Sequence, residues 1–375
     1  MKKQGNGISR ARPALLLICV AAAAARSAGA LAAASSALLL PQAALPAAAS
    51  CLQRALGQAP AQQSEAAPGG EADDAAPQFT AADPPAGDAP APDVSDAESA
   101  IPQERRMPIE ELQFASSSTA ENYFTYGAGC VRNATDYTND DMRSAAGGAV
   151  GFRVEMNSAS PQVLIMHTHT TESYDRFDAG FYDTEYPTRS TDPEKNILAV
   201  GKVLCDTLNA NGVCAVQATE YHDYPAYDNS YSRSRETVRA YLEKYPGIKV
   251  VLDIHRDGMQ REDGTRVKPT VVVDGRKAAQ IMIISGADDG TMNMPEFREN
   301  LRFAVRLQDT FETLCPGLTR PLYLAYRFYN QDLTTGSLLI EIGSEANTLA
   351  EAQYTAELLG RGLAKYFAGA QRAAD

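Results

Sequence analysis

From Pro161 onward the chain alternates short β-rich apolar runs with helical stretches, and this alternation restricts its possible folds more than any other feature. Residues 163–166, 213–217, 250–254 and 338–342 are compact runs rich in Val, Ile and Leu, whereas 196–209, 232–244, 294–314 and 350–367 carry helical spacing. Strands alternating with helices predict an α/β fold, a mostly parallel twisted sheet flanked by helices. In such sheets ligands bind beyond the carboxyl ends of the strands, so those ends are where chemistry is sought.

The first third of the chain reads differently. Met1, Lys2 and Lys3, with Arg10 and Arg12, precede an apolar run from Ala14 to Ala25, the layout of an export signal. That run is shorter than the ~20 residues a membrane span needs, but apolar character continues to Leu40 with Arg26 as the only interruption. Residues 1–50 are therefore expected to be an export signal or an uncleaved membrane anchor. Residues 51–115 are expected to be a disordered Ala/Pro/acid-rich linker, with too few large apolar side chains to offset the entropy of ordering. Such a tether extends as about 5–6 Å times the square root of its length, enough to carry a domain tens of ångströms from a membrane. Residues 116–375 are left as one folded domain, placed on the extracytoplasmic face of a membrane, or secreted if the signal is cleaved.

The net charge of −13 has little to do with that domain. Residues 52–115 hold twelve acidic and three basic residues, a net of −9, and no basic stripe remains to suggest nucleic acid. Absence of Trp argues weakly against a sugar-binding module built on stacked indoles. Six cysteines lie at 19, 51, 130, 205, 214 and 315 without a Cys-x-x-Cys pair, which makes a Cys-based metal site a poor reading. Cys205 and Cys214 are either a disulfide, if the domain is exported, or small buried thiols.

Three of the four histidines fall at strand ends. The first run continues as Met166-His167-Thr168-His169-Thr170-Thr171-Glu172-Ser173-Tyr174, and His255 follows the run at 250–254 in the same relation. Neutral imidazoles with a carboxylate suit Zn²⁺, which in catalytic sites takes three protein ligands and leaves one position open. Hydrolysis needs a further group to carry protons, and Glu341, a charge inside the apolar run Leu338-Leu339-Ile340-Glu341-Ile342, supplies one. His222 sits in a polar loop and is equally consistent with substrate binding or loop support. A metal phosphoesterase, a zinc peptidase and a wall-binding scaffold with a vestigial cluster all remain open on these residues alone.

The His167–Tyr174 segment after Val163-Leu164-Ile165-Met166 resembles the signature of the stage II sporulation protein P family. So do His222-Asp223 with Ser230-Tyr231-Ser232-Arg233-Ser234-Arg235, then Leu252-Asp253-Ile254-His255-Arg256-Asp257, Tyr329-Asn330-Gln331-Asp332-Leu333, and Leu339-Ile340-Glu341-Ile342-Gly343 with Asn347-Thr348. The likeness runs from about residue 161 to 367. It implies a zinc amidase-like fold and zinc-dependent N-acetylmuramoyl-L-alanine amidase activity on peptidoglycan, with peptide cross-link cleavage as an additional possibility. It also implies septal wall degradation during engulfment, at the mother-cell septal membrane, beside a lytic transglycosylase and a membrane scaffold protein. A non-catalytic, wall-binding member of the same complex is the alternative. By the same resemblance His255 is a zinc ligand and Glu341 the catalytic carboxylate. His169 is favoured over His167 as the first histidine ligand, and the acidic ligand is Glu172 or Glu194, with Glu172 preferred. Arg256 or Arg327 would stabilise an oxyanion, and His222, Arg256, Asn330 and Gln331 would lie near substrate or behind the ligands.

Overall fold

A computed structural model describes residues 98–372; the expected export segment and residues 51–97 of the expected tether lie outside the described residues. In chain order the strands are β1 (Arg106–Leu112), β2 (Tyr123–Tyr126), β3 (Gly129–Ala134), β4 (Val163–Met166), β5 (Phe181–Asp183), β6 (Ala215–Gln217), β7 (Val250–Asp257), β8 (Arg266–Val273), β9 (Arg276–Ala279), β10 (Ile281–Ala287), β11 (Leu322–Tyr326) and β12 (Gly336–Ser344). The helices are α1 (Asn139–Ala146), α2 (Ile197–Ala210), α3 (Ser230–Lys244), α4 (Phe297–Leu314) and α5 (Leu349–Arg372).

The main sheet has the order β2-β3-β11-β10-β12-β7-β4-β6. The four apolar runs read from the sequence are β4, β6, β7 and β12. They are neighbours, all parallel, so their carboxyl ends share one edge. The four expected helices are α2 to α5. β10 runs antiparallel to β12, and β11 and β3 follow the direction of β10. The α/β class and the mostly parallel sheet are as expected. Among the described residues no helix is long and apolar enough to cross a membrane.

Side chains alternate between sheet faces along a strand, and here both faces are covered. Val163, Ile165, Val250, Leu252 and Ile254 join the core formed with α2, α4 and α5. Leu164, Met166 and Val251 join a smaller cluster with Val238 and Tyr241 of α3. Strands buried on both sides are continuous apolar runs, which is why these were legible. The same parity decides the histidines: His167 continues the α2 face, whereas Asp253 and His255 continue the α3 face.

α2 approaches the sheet closely at Gly201. A Cβ there would lie 2.4 Å from His167 Nε2 and 2.5 Å from Gln217 Nε2, both buried or half-buried groups. Gly201→Ala is therefore expected to destabilise the domain by about 1–3 kcal/mol through overpacking, although alanine favours a helix by about 1 kcal/mol over glycine. A urea unfolding midpoint unchanged or raised in this variant would contradict the close approach.

One expected boundary is corrected. Residues 106–112, assigned above to the linker, form β1, which pairs antiparallel with β5 through Arg106–Pro108 and parallel with β8 through Ile109–Leu112. A second sheet, β5-β1-β8-β9, results. The acidic, proline-containing character of this stretch masked a strand whose partners lie about 70 and 160 residues away, a separation local pattern cannot reveal.

Candidate active site

His255 and Glu341 occupy directly opposed positions of the parallel β7–β12 ladder, so their side chains leave the same face about 4.8 Å apart at the backbone. Asp253, two residues before His255, shares that face. His169 and Glu172 come from the turn after β4, bringing them to the same end of the sheet. Glu172 Oε2 lies 3.5 Å from His255 Nδ1, and the His169 and His255 rings meet edge to face at 5.2 Å.

The turn carrying His169 and Glu172 is held from several directions. Asp253 accepts hydrogen bonds from the Thr168 amide (2.9 Å) and hydroxyl (2.7 Å). Asp223 accepts from the Thr171 amide and hydroxyl and from Arg189 Nη1. Glu172 Oε2 accepts the Arg256 amide at 3.1 Å, and Arg189 stands 3.7 Å from its other oxygen. Tyr227 stacks on His169 at 4.7 Å, and Tyr231 meets it edge on at 5.6 Å while stacking on Tyr329. Tyr329 and Asn330 both have positive φ, 42° and 56°, an unusual geometry for an aromatic residue. The Asn330 amide, donating to Tyr231 O and Ser234 Oγ, keeps that turn in place.

The electrostatics separate the roles. Burial, with the His255 charge, pushes His169 down to about 4, so it is a neutral imidazole at physiological pH. Burial alone would raise Glu172, but the hydrogen bond and charge of His255 and the charge of Arg256 bring it down to about 2. For His255, burial is outweighed by Asp253 and Glu172, which raise it well above the ordinary imidazole value. Glu341 goes the other way: burial and the nearby Asp257 push it up to about 8 against the pull of His255. A carboxyl group that exchanges its proton near neutrality suits general acid–base work.

These residues fit a divalent metal chemically. His169 Nδ1 and Glu341 Oε2 are buried without a hydrogen-bond partner among the described residues, a costly state for polar atoms unless a ligand satisfies them. Ligands of one tetrahedral zinc, at about 2.0–2.1 Å from the ion, stand roughly 3.3 Å from each other, and the 3.5 Å between Glu172 Oε2 and His255 Nδ1 is close to that. Among the described residues no three His, Cys, Asp or Glu side chains form a ready-made chelate; Glu172 and His255 pair with each other instead. His255 Nε2 is 2.8 Å from Asp253 Oδ1, an ion-pair contact off the hydrogen-bond axis.

The remaining candidates lie elsewhere. His167 is 1 % exposed on the α2 face; its Nδ1 is 3.0 Å from Ile254 O, and its Nε2 is 3.0 Å from Gln217 Nε2, an amide donor. Both ring nitrogens are thereby used inside the fold. Glu194 is exposed in the turn before α2, its backbone amide bonded to Asp192. His222 is buried between His167 O (2.7 Å) and Thr237 Oγ1 (2.9 Å). Arg256 donates to the carbonyls of Ser173, Thr188 and Asp257, so its guanidinium braces loops and has few donors left for an oxyanion. Arg327 donates to Tyr326 O. Gln331 bridges Gly286 N and Ile284 O of β10.

A family model described as Stage II sporulation protein P matches residues 87–364. The chain belongs to this family. A curated member, Stage II sporulation protein P of Bacillus subtilis, is 29 % identical over 205 residues, covering 52 % of this chain and 48 % of that protein. The match thus spans about half the length of the curated relative. Similar solved structures include the N-acetylmuramoyl-L-alanine amidase AmiC2 of Nostoc punctiforme, 15 % identical with a TM-score of 0.32, covering 55 % of this chain and 97 % of that one. Another is the CwlD amidase of Clostridioides difficile, solved with the GerS lipoprotein, 12 % identical with a TM-score of 0.34, covering 55 % and 98 %. Likeness at such scores supports nothing about chemistry by itself.

Three residues around the site were not singled out by sequence reasoning. Asp253 carried a usable signal, since Asp-x-His on a strand puts both groups on one face. Arg189 and Tyr227 lie in irregular segments and carried none.

Proposed function

We propose that this protein is a zinc-dependent N-acetylmuramoyl-L-alanine amidase that degrades septal peptidoglycan during sporulation. The observation that carries the reading is the convergence of His169, Glu172 and His255 at the carboxyl edge of the parallel strands, beside Glu341, whose Oε2 is buried without a hydrogen-bond partner among the described residues. His169, Glu172 and His255 would hold the metal. A zinc ion bound there supplies Lewis-acid polarisation of an amide carbonyl and acidifies a water molecule. Glu341 takes the proton from the attacking water and passes it to the leaving nitrogen, which departs as the amine of L-alanine. Asp253 holds the His255 ring, and Arg189 with the Arg256 amide fixes the Glu172 carboxylate, so the ligands are positioned before substrate arrives.

Family membership supports the sporulation setting. A lytic transglycosylase and a membrane scaffold protein of the engulfment machinery are proposed as partners on the same ground, with residues 1–50 as anchor or export signal. To test the activity, purified sacculi are digested with the full chain and the products weighed by mass spectrometry. New N-terminal L-Ala on released peptides with glycan strands left intact is expected, and chelation should abolish the peptide release while added zinc restores it. Cleavage that persists in chelator, or fragments cut only within the peptides, would overturn the assignment.

A further inference from the structure

Arg320 is 6 % exposed and stands just before β11, at the active-site end of the main sheet. Ile281 opposes Thr319 and accepts the Arg320 amide, so Arg320 lies beside Met282 of β10. Met282 pairs with Glu341, and Glu341 with His255. Paired residues share a face of a sheet, which gives one row across β7, β12, β10 and the lead-in to β11: His255, Glu341, Met282, Arg320. The arginine side chain agrees with this placement, since its Nη1 donates to Asp257 Oδ2 at 2.9 Å, on the strand that carries His255.

The other two guanidinium nitrogens, Nε and Nη2, are buried and have no hydrogen-bond partner among the described residues. No other guanidinium among the described residues has two such nitrogens; that of Arg256 spends all three on carbonyls. Nε and Nη2 form the edge of a guanidinium that meets a carboxylate side on, through two parallel N–H bonds. Buried donors left unpaired are costly unless a ligand satisfies them. Asp257 holds the opposite corner, so it orients this edge without occupying it.

We infer that Arg320 is a specificity-determining residue that takes a carboxylate on the peptide side of the scissile bond. The inference rests on the amidase reading proposed above. In that reading Glu341 hands its proton to the leaving nitrogen, so the peptide departs on the Glu341 side of the metal ligands, and Arg320 lies further in the same direction. Two strand spacings, about 10 Å, separate the backbones of Glu341 and Arg320, and the arginine side chain reaches back across part of that span to Asp257. The second residue of an extended peptide lies about 7 Å along the chain from its first bond. In peptidoglycan that residue is a glutamate joined through its side-chain carboxyl, which leaves its α-carboxylate free; in some walls this carboxylate is amidated. A carboxamide has one acceptor oxygen and no charge, so the arginine fork discriminates between the two forms.

The test uses sacculi in which this glutamate is partly amidated, digested briefly with the full chain. Both forms compete for the same enzyme, and their proportion among peptides with a new N-terminal L-Ala, relative to the whole wall, gives the ratio of the two kcat/KM values. The free acid is expected to be favoured roughly 10–100-fold, the range of a charge-assisted bidentate contact. Arg320→Lys keeps a cation beside Asp257 but has no fork, and Arg320→Gln has neither; each is expected to lose most of the preference. Equal cleavage of the two forms by the wild-type chain overturns the inference, whether or not a variant folds. A preference kept in full by a folded variant also overturns it, because a merely structural arginine lowers both rates and leaves their ratio. A wild-type chain that yields no new N-terminal L-Ala overturns the amidase reading itself, and this inference with it.

Discussion

Glu341→Gln is expected to reduce cleavage of purified sacculi by about 10²–10⁴-fold, the range for removing a positioned general acid–base, while zinc uptake and fold are retained. Glutamine has nearly the shape of glutamate, so the β12 ladder and its contact with β7 persist. It has no carboxylate to accept the proton of the attacking water. Glu341 Oε2 has no hydrogen-bond partner among the described residues, so the substitution breaks no side-chain bond at that oxygen. The variant should therefore be at least as stable as the parent, because a buried ionisable group is replaced by a neutral one. Retained cleavage would remove Glu341 from the mechanism; lost zinc would make it a ligand instead.

Lys268→Met is expected to cost about 3 kcal/mol of stability, near the lower end of the ~3–5 kcal/mol typical for breaking a buried ion pair from one side. The Lys268 side chain is 1 % exposed and sits on β8 between Asp178 (2.5 Å) and Glu351 of α5 (2.7 Å), with Glu111 of β1 at 3.8 Å. Methionine fills the volume and leaves the buried Glu351 without its counter-ion. Two features moderate the loss. Lys277 still serves the half-exposed Asp178 and Glu111, and Glu351 Oε2 keeps the Asn347 side chain and the Thr348 amide. Adding Glu351→Gln should recover part of the loss, since the isolated charge is then gone. Chemical denaturation of the single and double variants measures both; a single-variant loss under about 1 kcal/mol would show that the cluster is already hydrated.

What the sequence disclosed follows from period and burial. β4, β6, β7 and β12 were legible because strands covered on both faces have no polar interruptions, and the charge of Glu341 inside such a run was conspicuous for the same reason. The distinction between His167 and His169 was not legible from proximity, because the strand's twofold alternation continues one residue past Met166 and turns His167 towards α2. Only the turn after it releases His169 to the other face. Glu194 looked plausible at a helix start, but its turn is exposed and carries it away from the histidines. β10 and β11 escaped notice because the antiparallel step from β12 to β10 interrupts the strand–helix rhythm. Asn330 and Gln331 were marked by motif alone; their roles depend on backbone partners far off in sequence.

Strand β1 has a practical consequence for any shortened version of the protein. Its first three residues pair with β5 and its last four with β8, so a protein started at residue 116 would leave both of those strands with bare edges open to self-association. β5 lies in the same segment between β4 and α2 as Arg189, which steadies Glu172, so the damage would reach the ligands. A shortened chain that keeps β1 anchored begins at or before Ile101, whose carbonyl accepts from the Arg106 side chain and whose own side chain is buried.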